Sequence, residues 1–146
     1  MAWTTSLVNS LRFYLGSPDT VEYPDATLQS FLVYGAAEAI SEAGVEGYTA
    51  DISAFTISPD PEADPSVSQL ILLKSQIIII RGEIRRYSRT AGYRITDDRS
   101  TIDGKSHLDA LRDLLKQLEN DYNKAEESYA AGDGRVYRAI ISPNTP

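Results

Sequence analysis

From Leu108 to Tyr129 the apolar residues return every three or four positions: Leu108, Leu111, Leu115, Leu118, Tyr122, Ala125 and Tyr129. A strand cannot use that period, because its side chains alternate between two faces, whereas a helix returns to the same face about every 3.6 residues. The stretch predicts a helix from about residue 105 or 106 to residue 131. Asp109, Asp113, Lys116, Glu119, Lys124 and Glu127 would face water, and Gly132 would stop it. A second long period precedes it. Leu70, Leu73, Ile77, Ile80, Ile84 and Tyr87 trace one seam, while Ile71, Leu72, Ile78 and Ile79 add apolar surface around the sides. That pattern predicts a helix over residues 65–90 whose first half is enclosed by neighbours. The isoleucine run alone would suit a strand, but the length of the flanking pattern selects helix. Asp64-Pro65 reads as an N-cap followed by proline at the first helical position.

Two shorter helices complete the set. Residues 5–15 carry Leu7, Leu11, Tyr14 and Leu15 at helical spacing, with Thr4 or Thr5 as N-cap and Gly16 and Pro18 as stops. The next opens at Tyr23-Pro24-Asp25, where Asp25 can cap the first turn. It continues through Leu28, Phe31, Leu32, Ala36, Ala39 and Ile40 until Gly44 and Gly47 end it. About four helices, two of them long core partners, make an all-α helical bundle. Residues 54–58 alternate like a short strand, residues 58–65 form a proline-spaced loop, and residues 92–104 read as extended and polar. After Gly132-Asp133-Gly134 come Arg135, Val136, Tyr137, Arg138, Ala139, Ile140 and Ile141, too apolar for a free end, with Pro143 and Pro146 keeping the segment extended. The expected organisation is a helical domain over residues 1–132 and an extended docking tail over residues 133–146. Such a tail seeks a partner by strand addition or by docking in a groove, the alternative being pairing within its own chain, for instance with residues 54–58.

With 146 residues the chain has the length of one domain, and 42% apolar with 24% charged residues is an ordinary globular balance. It has no cysteine and one histidine, which removes disulfides, thiolate metal sites, cysteine nucleophiles and two-histidine metal motifs. His107 adjoins Ser106, and adjacent helix positions do not face each other, so the two are no nucleophile–base pair. Asp60, Glu62 and Asp64 are separated by prolines and lack the glycine and terminal glutamate of a calcium loop. Asp97, Asp98 and Asp103 with Gly104 form a second acidic loop, and in both places turn and cap roles suffice. Gly132-Asp133-Gly134-Arg135 follows a helix instead of opening one and lacks the lysine of a phosphate loop. No catalytic, cofactor or metal residue is expected, and the chain does not read as an enzyme. The longest apolar stretch, residues 70–80, is interrupted by Lys74, Ser75 and Gln76, so it reads as a core element and no membrane role is expected. The first base is Arg12, which fits no secretion signal.

Charge is unevenly placed. Residues 1–64 hold one base and ten acids, a net of −9, and residues 65–146 hold thirteen bases and eleven acids, a net of +2. Arg81, Arg85 and Arg89 recur every four residues and share a helix face, with Arg86 beside them. That face suits an acidic subunit surface or a phosphate backbone. With a pI of about 4.6 the long-range field repels a polyanion, which favours the acidic neighbour. The polarity suits head-to-tail contacts between copies, with Arg81, Arg85, Arg86 and Arg89 at the subunit interface. The competing reading is a nucleic-acid-binding regulator that uses those four arginines.

Leu11-Arg12-Phe13-Tyr14-Leu15, then Tyr23-Pro24-Asp25-Ala26-Thr27-Leu28 opening a helix, resembles the head–tail connector (adaptor or neck) proteins of tailed bacteriophages. So does the later block Tyr87-Ser88-Arg89, Ala91, Ile95, Asp97-Asp98 and Ser100-Thr101-Ile102-Asp103, followed by a long acidic helix with Leu118-Glu119 and Tyr122. The resemblance is to a chain layout over about residues 5–131. It implies a small helical subunit of a homo-oligomeric ring, usually twelvefold, beneath the portal protein in the virion, assembled in the host cytoplasm. The ring prolongs a channel through which DNA passes without sequence-specific binding, and presents a platform to the tail or to further neck proteins. It also implies that a tail or loop engages the portal, for which Arg135, Val136, Tyr137, Arg138, Ile140 and Ile141 are the matching residues by position. No cofactor is implied.

Overall fold

A computed structural model describes residues 2–16, 20–91 and 98–141, with side chains described for residues 3–16, 20–89 and 106–132. Four helices carry the fold: α1 (Ala2–Tyr14), α2 (Asp25–Ala43), α3 (Pro65–Ala91) and α4 (Asp98–Ile141). Between α2 and α3 lie two three-residue strands, β1 (Thr49–Asp51) and β2 (Thr56–Ser58), and one 3-10 turn, Pro61–Ala63. The protein is an all-α bundle with two long core helices, as its periodicity predicts.

The helix ends show why the chain breaks where it does. The Asp64 carboxylate accepts from the backbone N–H of Ser66 at 3.1 Å and of Val67 at 3.4 Å, so two donors that α3 cannot satisfy internally find a partner. Pro65 takes the first helical position, where its missing N–H costs nothing. Asp60 does the same for Glu62 at 2.9 Å. At the end of α2, Gly44 adopts φ +64°, a left-handed conformation that L side chains avoid, and Val45 N–H returns to the Ile40 carbonyl at 3.1 Å. The start of α2 differs from expectation: Pro24 occupies the cap, and Asp25, the first helical residue, turns its carboxylate to Arg12. That pair ties α1 to the start of α2.

The core forms around α3. From Leu70 to Ile80 every residue of α3 is buried or half-buried, because α2 covers one side, α4 another and α1 a third. Trp3, Leu7, Val8 and Leu11 of α1 join Leu28, Leu32, Val33, Ala36 and Ala39 of α2 and Val67, Leu70, Ile71, Ile77, Ile79 and Ile80 of α3; from α4 come Leu118 and Tyr122. α2 and α3 cross closely at Gly35. A methyl group there would press on Ser75 Oγ and stand 2.9 Å from Ser75 N and 3.1 Å from the Ile71 carbonyl. Ser75 is fully buried and its hydroxyl donates to the carbonyls of Ile71 at 2.7 Å and Phe31 at 3.2 Å. Strand β2 pairs antiparallel with β1, Ala50 opposite Ile57, and buried Ile57 pins the hairpin to the core.

The long helix departs from the expected boundaries at both ends. α4 begins at Asp98, inside the stretch expected to be extended, and runs through Ile141. The segment from Arg135 to Ile141, expected as an extended tail, is therefore helical, and residues 142–146 lie outside the described residues. Once a helix is nucleated each further residue adds a hydrogen bond at little cost, so Gly132 and Gly134, at about 1 kcal/mol each, do not stop it. Pro143, which lacks the donor N–H, is the first residue that opposes continuation.

Candidate functional site

Three features stand out on the scaffold: a basic, thinly covered end of the α3–α4 pair, a groove between α1 and α4, and a buried ionic cluster. α3 and α4 run antiparallel, as the meeting of Arg81 with Glu119 and of Tyr87 with His107 requires. The Tyr23 hydroxyl, at the entrance to α2, donates to Glu83 at 2.8 Å. Burial and then the Glu83 carboxylate hold that hydroxyl well above the usual tyrosine range. Beyond Glu83 cover is thin. From Ile84 onward no described residue of α3 is buried, and on α4 none is buried before Leu118. Ile84, Leu108, Leu111 and Leu115 are only half-buried, and Tyr87 and Leu114 are exposed.

The four arginines expected at a subunit interface all map to the last three turns of α3, but they are not equivalent. Arg81 is engaged within the chain, donating to Glu119 at 2.9 Å, and Arg86 lies 4.0 Å from Glu83 one turn earlier. Arg85 and Arg89 are exposed and have no carboxylate partner among the described residues. This splits the face: half of its charge is neutralised internally, which weakens it as a grip on phosphates. His107 is exposed, its ring edge-on to Tyr87 at 4.5 Å between centroids, and Ser106 beside it is exposed too. For Arg135, Val136, Tyr137, Arg138, Ile140 and Ile141 the helical backbone alone is described.

The groove, of about 970 Å³, is floored by one stripe of α3 (Ser68, Gln69, Leu72, Leu73, Gln76) and walled by Leu7, Ser10 and Tyr14 of α1 and by Leu114, Leu118, Asp121 and Ala125 of α4. Its floor mixes two leucines with Ser68, Gln69 and Gln76, and its walls mix Leu7, Leu114 and Leu118 with Ser10 and Asp121. Nearby apolar residues stand in solvent: Phe13 is 81% exposed and meets Tyr14 edge-on. Ile52 and Phe55 project from the hairpin tip, where the Asp51 carboxylate accepts from the N–H groups of Ser53 and Ala54.

The buried cluster was not legible as such in the sequence. Lys74 is 5% exposed, its ammonium 2.6 Å from Glu42 and 3.7 Å from Glu38 on α2, and 4.8 Å from the centre of the Tyr122 ring on α4. One cation thus joins α2, α3 and α4. The Tyr122 hydroxyl is buried without a well-formed hydrogen bond among the described residues, since Glu42 is drawn to Lys74. Burial first, and then the charges of Glu42 and Glu126, push that hydroxyl above its ordinary range. A cavity of about 450 Å³ opens beside it, lined also by Arg81, Glu119 and Asn123. The available signal was the interruption of the apolar run at Lys74, set against carboxylates spaced four apart at Glu38 and Glu42.

Among the described residues no three His, Cys, Asp or Glu side chains gather as metal ligands, and no helix is long and apolar enough to cross a membrane. No family model matches the chain, and no curated protein and no solved structure matches it.

Proposed function

We propose that this chain is a structural subunit of the head–tail connector of a tailed bacteriophage. Copies close into a ring, twelvefold by resemblance, beneath the portal, prolong the channel for DNA and offer a platform to the tail or to further neck proteins in the virion. The observation that carries this reading is the polarity of the subunit. Residues 1–64, which build α1, α2 and the hairpin, hold a net charge of −9, while the far end of α3 presents exposed Arg85 and Arg89. A closed ring is built from heterologous contacts, in which one face meets a different face of the next copy, and unlike charge favours that arrangement over like-to-like pairing. Surplus acid also repels DNA sliding through a lumen.

The portal contact is assigned to Arg135, Val136, Tyr137, Arg138, Ile140 and Ile141. With its backbone helical to Ile141, this segment would enter a groove as a helix instead of adding a strand. The test is mass by light scattering, for the purified chain alone and with a portal preparation. A large ring, or a monomer recruited into a portal complex, is expected, and truncation after Gly134 should abolish recruitment. A chain that remains monomeric and ignores portal would overturn the proposal.

A further inference from the structure

We infer that the thinly covered end of the α3–α4 pair docks on the outer stripe of α2 in a second copy of this chain, Arg85 and Arg89 meeting Tyr34 and Glu38. Its closure into a ring rests on the reading above; the contact itself rests on burial and charge. Two helices alone leave an apolar row half in water, and Ile84, Leu108, Leu111 and Leu115 are in that condition past Glu83. Among the described residues no third element covers it, since α2 begins beside Glu83 and runs the other way, its Gly35 packing on Ser75.

Charge and chemistry select what meets the basic side of that end. Arg85 and Arg89 lie one turn apart on one face of α3, exposed and with no carboxylate partner among the described residues. On the outward face of α2, Thr27, Tyr34, Glu38 and Ser41 fall within about 60° of one another by helix geometry, and all four are exposed. Tyr34 is 45% exposed, and Glu38, although 3.7 Å from Lys74, keeps 49% of its side chain in water because the closer partner of that ammonium is Glu42. An aromatic ring and a carboxylate on one face are the two groups a guanidinium prefers, by stacking and by charge-assisted hydrogen bonding. The two faces cannot meet within one chain. Ser75 lies against Gly35, and Arg85 and Arg89 stand about 15 and 21 Å further along α3, beyond an arginine's reach.

Size decides how the contact behaves. Two helix faces about 20 Å long and about 12 Å wide cover about 240 Å² each, less than a third of the about 800 Å² per partner in a stable interface. One contact therefore holds weakly, and many around a closed ring hold firmly.

The chain has no cysteine, so single cysteines report contacts cleanly. Ser41→Cys, within the α2 stripe, and Ser88→Cys, beside the arginines, are exposed positions that leave Arg85, Arg89, Tyr34 and Glu38 in place. Treated with a short bis-maleimide, a mixture of the two variants should give a crosslinked pair, and each variant alone should give at most a tenth as much. Adding Arg85→Glu and Arg89→Glu to the Ser88→Cys chain, or Tyr34→Ala to the Ser41→Cys chain, should reduce the mixed product at least tenfold. Equal yield from Ser88→Cys alone, a mixed yield unaffected by those changes, or no mixed product at about 1 mM would each overturn the contact. Portal recruitment without the mixed product sinks this interface and leaves the connector reading standing. The mixed product without recruitment does the reverse.

Discussion

Gly35→Ala and Gly82→Ala are the same chemical change in two helix interiors, and the structure assigns them opposite signs. Replacing glycine by alanine in an unobstructed helix gains about 1 kcal/mol, because alanine loses less backbone freedom on folding. At Gly82 a methyl group meets nothing within 4 Å, so the substitution should stabilise by about 0.5–1 kcal/mol. At Gly35 the methyl group presses on Ser75 Oγ and on the backbone of α3, at 2.9 Å from Ser75 N and 3.1 Å from the Ile71 carbonyl. The hydroxyl can rotate away only by giving up its bonds to Ile71 and Phe31, and the backbone only by parting two helices. Overpacking costs about 1–3 kcal/mol and a lost buried hydrogen bond about 1 kcal/mol. Less the propensity gain, Gly35→Ala should destabilise by about 1–3 kcal/mol. Urea unfolding followed by circular dichroism at 222 nm reads both values at constant m, with about 3–4 °C of Tm per kcal/mol in a chain of this size. Ser75→Ala in the Gly35→Ala background should recover part of the loss, as neighbours that share one contact do. If Gly35→Ala stabilises as much as Gly82→Ala, the close crossing of α2 and α3 is wrong.

Three further outcomes follow from the buried cluster. Lys74→Met keeps the packing of the stem and leaves two half-exposed carboxylates to rehydrate, so it should cost less than about 1 kcal/mol. Glu38→Leu with Glu42→Leu strands the ammonium without a carboxylate and should cost about 3 kcal/mol or more by urea unfolding; equal costs would contradict the burial of Lys74. Tyr122→Phe removes a hydroxyl that is buried without a good partner and should be neutral or stabilising by up to about 1 kcal/mol. The Tyr122 hydroxyl is raised by burial and then by Glu42 and Glu126, so the folded chain keeps a proton that the unfolded chain loses above about pH 10. Its contribution is full below that pH and fades above it, by up to about 1.4 kcal/mol per pH unit, a slope that Tyr122→Phe should reduce. An unchanged alkaline slope in the variant would refute the assignment.

The four helices, the cap at Asp64 and the glycine stop at Gly44 were all legible in the sequence, because each depends on residues within one or two turns of one another. So was the enclosure of the first half of α3, announced by apolar residues on every side. The face of four arginines was legible as a face, but its division was not. Arg81 is neutralised by Glu119, thirty-eight residues away, and no local pattern names that partner. The same holds for Lys74, which looked like an interruption of the core and proves to be part of it, since Glu38 and Glu42 arrive from another helix. The end of α4 failed for a different reason. Glycines at 132 and 134 are weak stops, and a long helix already formed outweighs them. What the sequence determined by itself is therefore the set of helices and the imbalance of charge, both properties of local order and composition. Which charges are satisfied inside the subunit, and which apolar row is left half-covered, was decided only when α2, α3 and α4 came together, because desolvation and ion pairing depend on neighbours distant in the chain.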